Sequence, residues 1–112
     1  MARTPTTADA FNAIAEAGRR DLLGAIGTGE VTVNELVTRT RMGQSQVSKH
    51  LGVLRAVDLV RVRSHGRQRF YRVNGAALRP VHDWVAAFER TWNQRLDRLD
   101  DLLTELKKEE IE

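Results

Sequence analysis

The side chains best suited to recognition chemistry crowd into one stretch: Gln44, Ser45, Gln46, Ser48, Lys49 and His50. A glutamine can make paired hydrogen bonds to an adenine edge, and a serine is less selective. Arg39 and Arg41 precede this stretch, and Arg63, Arg67 and Arg69 follow it. With Lys49, these cations suit phosphates, which orient a protein on a duplex without reading its sequence. Between Arg39 and Arg72 stand nine basic residues and one acid, Asp58. Residues 1–75 hold 12 Lys or Arg against 6 acids, a charge of +6, and residues 76–112 hold 6 against 9, a charge of −3. This split points to a polyanion-binding front and a different role for the tail. Without a motif, the same charge would describe only a solvated basic face.

Other chemistries find little support. Cysteine is absent, which removes disulfides, thiolate metal sites and cysteine redox sensing. No nucleophile–base–orienter set, P-loop or carboxylate cluster points to catalysis, so the expectation is no catalytic residue and no cofactor. Asp97, Asp100, Asp101 and Glu105 read as solvated flanks of a helix. No apolar run approaches the roughly 20 residues that cross a bilayer, and Met1–Ala10 lacks a signal-peptide core. The expected location is therefore cytoplasmic, at the nucleoid, with no membrane partner.

The recognition residues need a scaffold. A chain of 112 residues with 41% hydrophobic content suits one folded domain rather than two. Residues 1–7 read as a loose N-terminus, 8–108 as a single domain and 109–112 as a frayed tail. Thr6 or Thr7 could cap a first helix with Phe11, Ile14 and Ala15 on one face, interrupted by Gly18. A second helix follows from Arg19 to about Ile26, then a turn at 27–30. Thr32 to Thr40 forms a third helix with Val33, Leu36 and Val37 inward. After a short link, a fourth runs from about Gln44 to Val57 on Val47, Leu51 and Leu54, with Gly43 as its N-cap. Asp58 falls where the helix must stop, and a left-handed conformation is expected there.

Residues 59–63 then alternate, with Val60 and Val62 on one face and Arg61 and Arg63 on the other. "SHGR" turns the chain at Gly66, and 68–73 returns with Tyr71 and Val73 inward. A long helix over about 76–108 completes the chain. Its apolar residues, Leu78, Val81, Val85, Phe88, Trp92, Leu96, Leu99, Leu103 and Leu106, follow a heptad-like seam with one stutter at Trp92. Such a helix measures about 50 Å. A second copy is the simplest cover for its seam, with Phe11, Val81, Val85, Phe88, Trp92, Leu96 and Leu99 as the expected dimer interface. Pro80 fits the first turn.

Helix, tight link, helix and basic hairpin, in that order, make a winged helix-turn-helix. The expected class is mainly α with a small β-hairpin, about five helices and a long C-terminal dimerisation helix. The second helix of the pair would enter the major groove by its N-terminal end, with the hairpin on the backbone or in the minor groove.

"QSQVSKHLGVLRAVDLVRVRSHGRQRFYRV" closely resembles the recognition-helix and wing signature of the ArsR/SmtB-type family of winged-helix repressors. "AEAGRRDLLGAI" resembles the family's segment after its first helix, and the likeness covers about residues 8–104. The resemblance implies a homodimeric repressor on a double-stranded, pseudo-palindromic operator. It carries over Gln44, Ser45, Gln46, Ser48, Lys49 and His50 as the recognition helix, and Arg63, Arg67 and Arg69 as the wing. Arg39 and Arg41 join the backbone contacts.

Three departures stand out. Gly43 occupies a place where the family often has Ser, Asp58 replaces a common Gly, and "TVNELVTRT" lacks the cysteine metal box. A second family metal site uses Asp, His and Glu across the paired C-terminal helices. Here that helix offers His82, Asp83 and Glu89, with His82 and Asp83 adjacent and pointing apart, so no metal is expected. A cross-dimer site through two His82 residues stays open, as does any small-molecule effector. His50 has two readings, a DNA contact or a bond at the junction of helix and core. Two alternatives to specific DNA binding also stand, a winged-helix scaffold for protein contacts and a nonspecific nucleoid binder.

Overall fold

The structure, a computed structural model, describes residues 9–111. The chain divides into two compact units, one through Pro80 and one from Val81 onward. The proposed Thr6 or Thr7 cap lies outside the described residues.

In the first unit, α1 (Ala10–Ala13) is capped by Asp9, whose Oδ1 accepts from the Asn12 N–H at 2.8 Å. The interruption expected at Gly18 comes earlier, at residues 14–16, and Gly18 lies inside α2 (Ala17–Ile26). Two guanidiniums take the carbonyls freed at this break. Arg19 donates to Ala13 and Asn12, and Arg20 donates to Ile14 and Ala15. Ala13, rather than Ala15, is the buried residue of α1. α2 ends on Gly27, whose φ of 65° places it where glycine is unstrained.

α3 (Val33–Thr40) begins with a capping box: the Glu35 N–H donates to Thr32 Oγ1 at 3.2 Å, and the Thr32 N–H donates to Glu35 Oε1 at 3.4 Å. It ends at Arg41 in the left-handed region (φ 62°), and three residues later α4 (Gln44–Ala56) starts from Gly43. Asp58 turns the chain out of α4 at φ 61°, as its position suggested. Its carboxylate receives Arg61 through two hydrogen bonds, of 3.2 and 3.0 Å. The Asn74 amide donates to its carbonyl at 2.9 Å.

β1 (Val60–His65) and β2 (Gln68–Val73) form an antiparallel hairpin with a two-residue loop, Gly66–Arg67. Of the loop residues only Gly66 has positive φ, at 63°, the type II′ pattern that suits the twist of paired strands. A feature absent from the sequence reading is Val31. It bridges Tyr71 through two backbone bonds, of 3.0 and 2.8 Å, so β2 is flanked on both sides. The buried core of the first unit draws on α1 to α4 and both strands: Ala13, Leu22 and Ile26, Leu36, Val47 with Leu51 and Leu54, Leu59 and Val60, and Tyr71, with Val31 beside them. Each fully buried Leu or Val contributes about 1.5–3 kcal/mol by leaving water.

A 3-10 turn (Gly75–Leu78) leads into α5 (Arg79–Ile111), the long helix, about three residues later than the apolar spacing suggested. Its 33 residues span about 50 Å. The stripe from Val85 to Leu106 is exposed along its length, with Phe88 at 59% and Trp92 at 60%. Trp84 and Phe88 meet edge to face at 4.9 Å. Among the described residues no helix is long and apolar enough to cross a membrane.

Candidate nucleic-acid interface

α4 sorts its residues by helical period. Val47, His50, Leu51 and Leu54 face inward, while Gln44, Ser45, Gln46, Ser48 and Lys49 are exposed. A glycine N-cap leaves the first turn of α4 without a side-chain lid. Continuing the outward row from Gln44 and Ser48 by four and three residues reaches Gly52 and Arg55. That spacing could have flagged Arg55 from sequence.

Two recesses join this row to the hairpin. One is lined by Thr32, Val33, Asn34, Gln44, Arg67, Gln68 and Arg69. The other is lined by Ser48, Leu51, Gly52, Arg55, Arg69 and Tyr71. Arg69 borders both, so the wing meets the start and the middle of α4 through one guanidinium. No acid lines either recess. Thr32, Asn34 and Gln68 were missed by sequence reasoning. The T-x-x-E capping box marks the helix start at Thr32, where the sequence reading also begins it, but a local signal does not show that this start lies beside the wing.

The remaining predicted cations fare differently. Among the described residues, no hydrogen bond or ion pair engages Arg41, Lys49, Arg67 or Arg69. Arg39 is committed within the fold, donating to the Ala25 carbonyl at 2.8 Å and to Glu35 at 3.5 Å. Arg63 is not brought to this surface. The register sets Arg63 opposite Phe70 and Ser64 opposite Arg69, so Arg63 and Arg69 lie on opposite faces of the hairpin. Arg63 instead donates to Glu30 at 2.6 Å. That hydrogen bond holds the Glu30 carboxyl below the usual carboxylate range, as the Arg61 bond does for Asp58.

His50 also turns away from the exposed row. It is 9% exposed, and its Nδ1 has no hydrogen-bond partner, with the Glu16 carboxylate 4.0 Å away. Its ring packs on α2, where a Cβ added to Gly18 would stand 2.9 Å from Nε2. Gly18→Ala is therefore expected to cost about 1–3 kcal/mol by overpacking. A thermal melt reads this directly, and an unchanged midpoint would show that the imidazole yields without penalty.

His82 and Asp83 meet more closely than neighbours on a helix were expected to: Nδ1 lies 3.3 Å from Oδ1. Among the described residues they gather no third ligand. Two donors fall short of the three or four that zinc takes, so this helix alone does not fit the ion.

A family model described as a helix-turn-helix domain matches residues 14–63. The chain is 35% identical over 73 residues to the HTH-type transcriptional regulator KmtR of Mycobacterium tuberculosis (strain ATCC 25618 / H37Rv), a stretch covering 65% of this chain. It spans 56% of the length of that relative. The crystal structure of a possible transcriptional regulator for arsenical resistance is 38% identical, with a TM-score of 0.60, over 78% of this chain and 88% of that one. An ArsR-like transcriptional regulator from Rhodococcus sp. RHA1 superposes with a TM-score of 0.67 at 27% identity, over 86% of this chain and 88% of that one. The chain belongs to the ArsR/SmtB family. This is a family of DNA-binding transcriptional regulators rather than enzymes. Within it, α3 and α4 are the helix-turn-helix and β1–β2 is the wing. This ArsR-type chain lacks the cysteine box of the metal-sensing members.

Proposed function

We propose that this ArsR-type chain is a homodimeric regulator that binds a pseudo-palindromic operator in double-stranded DNA and acts as a repressor by occluding the promoter. The observation that carries this reading is the acid-free surface where Gln44, Ser48 and Arg55 of α4 adjoin Arg67 and Arg69 of the wing. Gln44, Ser45, Gln46, Ser48 and Lys49 form the part that enters the major groove. Arg67 and Arg69 take the flanking backbone, with Arg41 as a further phosphate contact. The exposed stripe of α5, through Val85, Phe88, Trp92, Leu96 and Leu99, is the seam for a second copy. Two recognition helices paired in this way would sit about 34–36 Å apart, one duplex turn.

The test is fluorescence anisotropy on the DNA upstream of the protein's own gene against a scrambled duplex, over a salt series and with or without Zn²⁺. Selective, salt-dependent, zinc-independent binding is expected. Equal weak binding to both duplexes would favour a nonspecific or protein-binding role. Release by zinc would instead make His82 and Asp83 ligands in a cross-dimer site. Gln44→Ala should reduce the ratio of operator to scrambled affinity by about tenfold or more, since a paired contact to a base discriminates by about 1–3 kcal/mol. Equal losses on both duplexes would remove Gln44 from base reading.

A further inference from the structure

The wing is a two-stranded hairpin, and such a hairpin is marginally stable by itself in water. Something must hold it at a fixed angle to α4. The Val31–Tyr71 bridge supplies two backbone bonds on the far side of β2. Glu30, the residue before Val31, adds a side-chain link of longer reach. Arg63 starts on β1, passes over the ring of its cross-strand partner Phe70 with Cζ 4.9 Å from the centroid, and ends on Glu30 Oε2 at 2.6 Å. It thus crosses the whole width of the sheet, β1 to β2 to Val31, on the face opposite Arg69.

We propose that Glu30 is a positioning residue for DNA binding: through Arg63 and Phe70 it straps the wing to the segment before α3 and so sets where Arg67 and Arg69 are presented. The inference rests on the DNA-binding reading above. The register turns Arg63 away from the recesses, and the strap gives it a partner on that face. It gives Glu30 a part in binding without contact to DNA. Both partners are exposed to solvent, so loss of the pair should loosen the wing without unfolding the domain.

The test must separate position from charge. Glu30→Gln combined with Arg63→Gln breaks the strap and leaves the net charge unchanged. This pair should bind operator about three- to fivefold more weakly, the factor by which an exposed pair can shift a binding-competent population, with the salt slope unaltered. The reversed pair, Glu30→Arg with Arg63→Glu, should recover most of the loss. Without DNA, amide exchange at Tyr71, whose N–H donates to Val31, should quicken in the neutral pair and recover in the reversed one, while α4 stays protected. Wild-type affinity in the neutral pair, a loss that reversal does not repair, or unchanged Tyr71 exchange would each overturn the strap. If the wild-type protein itself shows no salt-dependent binding to duplex DNA, the DNA-binding reading fails. The exchange result would then still report whether the strap holds the wing.

Discussion

Trp92→Asp is expected to sediment as a monomer and to bind an inverted repeat at least about a hundredfold more weakly, because two tethered half-site contacts become one. Trp92 is 60% exposed on α5, in line with Val85, Phe88, Leu96 and Leu99. A carboxylate in the middle of that seam would be buried without a partner, once from each copy of the chain, and burying an unpaired charge costs several kcal/mol. The exposure of Trp92 also protects the control: the substituted residue takes no part in the core between Ala13 and Tyr71, so the winged unit should keep its fold. A variant that stayed dimeric would move the interface away from this stripe. The spacing of four residues on both sides of Trp92 marks it as the place where the heptad pattern slips.

The second large effect belongs to the wing. Arg67→Ala with Arg69→Ala should weaken binding to operator and scrambled duplex alike. The salt slope should fall by about 3–4 for a dimer, because each lost phosphate contact removes about 0.9 and four guanidiniums are lost. The ratio between the two duplexes should hardly change, since phosphates carry no sequence information. A slope that did not move would mean that neither arginine touches the backbone. A change confined to operator would mean that the wing reads bases. Arg69 should account for more of the loss than Arg67, because it borders both recesses whereas Arg67 borders one.

Much of the fold was legible because its signals are local. Val47, Leu51 and Leu54 marked the inner face of α4, and all three are buried. Asp58 sat at the end of that helix, where a left-handed residue was required, and it has one. The alternation of Val60 and Val62 with Arg61 and Arg63 gave the faces of β1, although Arg63 was then grouped with Arg67 and Arg69. With Tyr71 and Val73 inward, the same alternation places 63 and 69 on opposite faces, and the register agrees; the turn, expected over 64–67, is two residues shorter because β1 runs on to His65. The α1–α2 break was also misplaced. Gly18 looked like a breaker, whereas its small size makes room for His50, a contact between residues 32 apart in sequence. The commitments of Arg39 to Ala25 and of Arg63 to Glu30 were likewise hidden, since a count of charges does not show which ones the fold has already used.

The Val31 bridge has a consequence for how copies of this chain can meet. By occupying the outer side of β2, it leaves β1 as the sheet's long open edge among the described residues. Open edges invite strand addition from another molecule, and charge along the edge strand is a common safeguard. β1 carries Arg61 and Arg63 in alternation with its valines, and a strand added there would have to accommodate both guanidiniums together with their carboxylate partners, Asp58 and Glu30. Uncontrolled sheet growth along this edge is thereby discouraged.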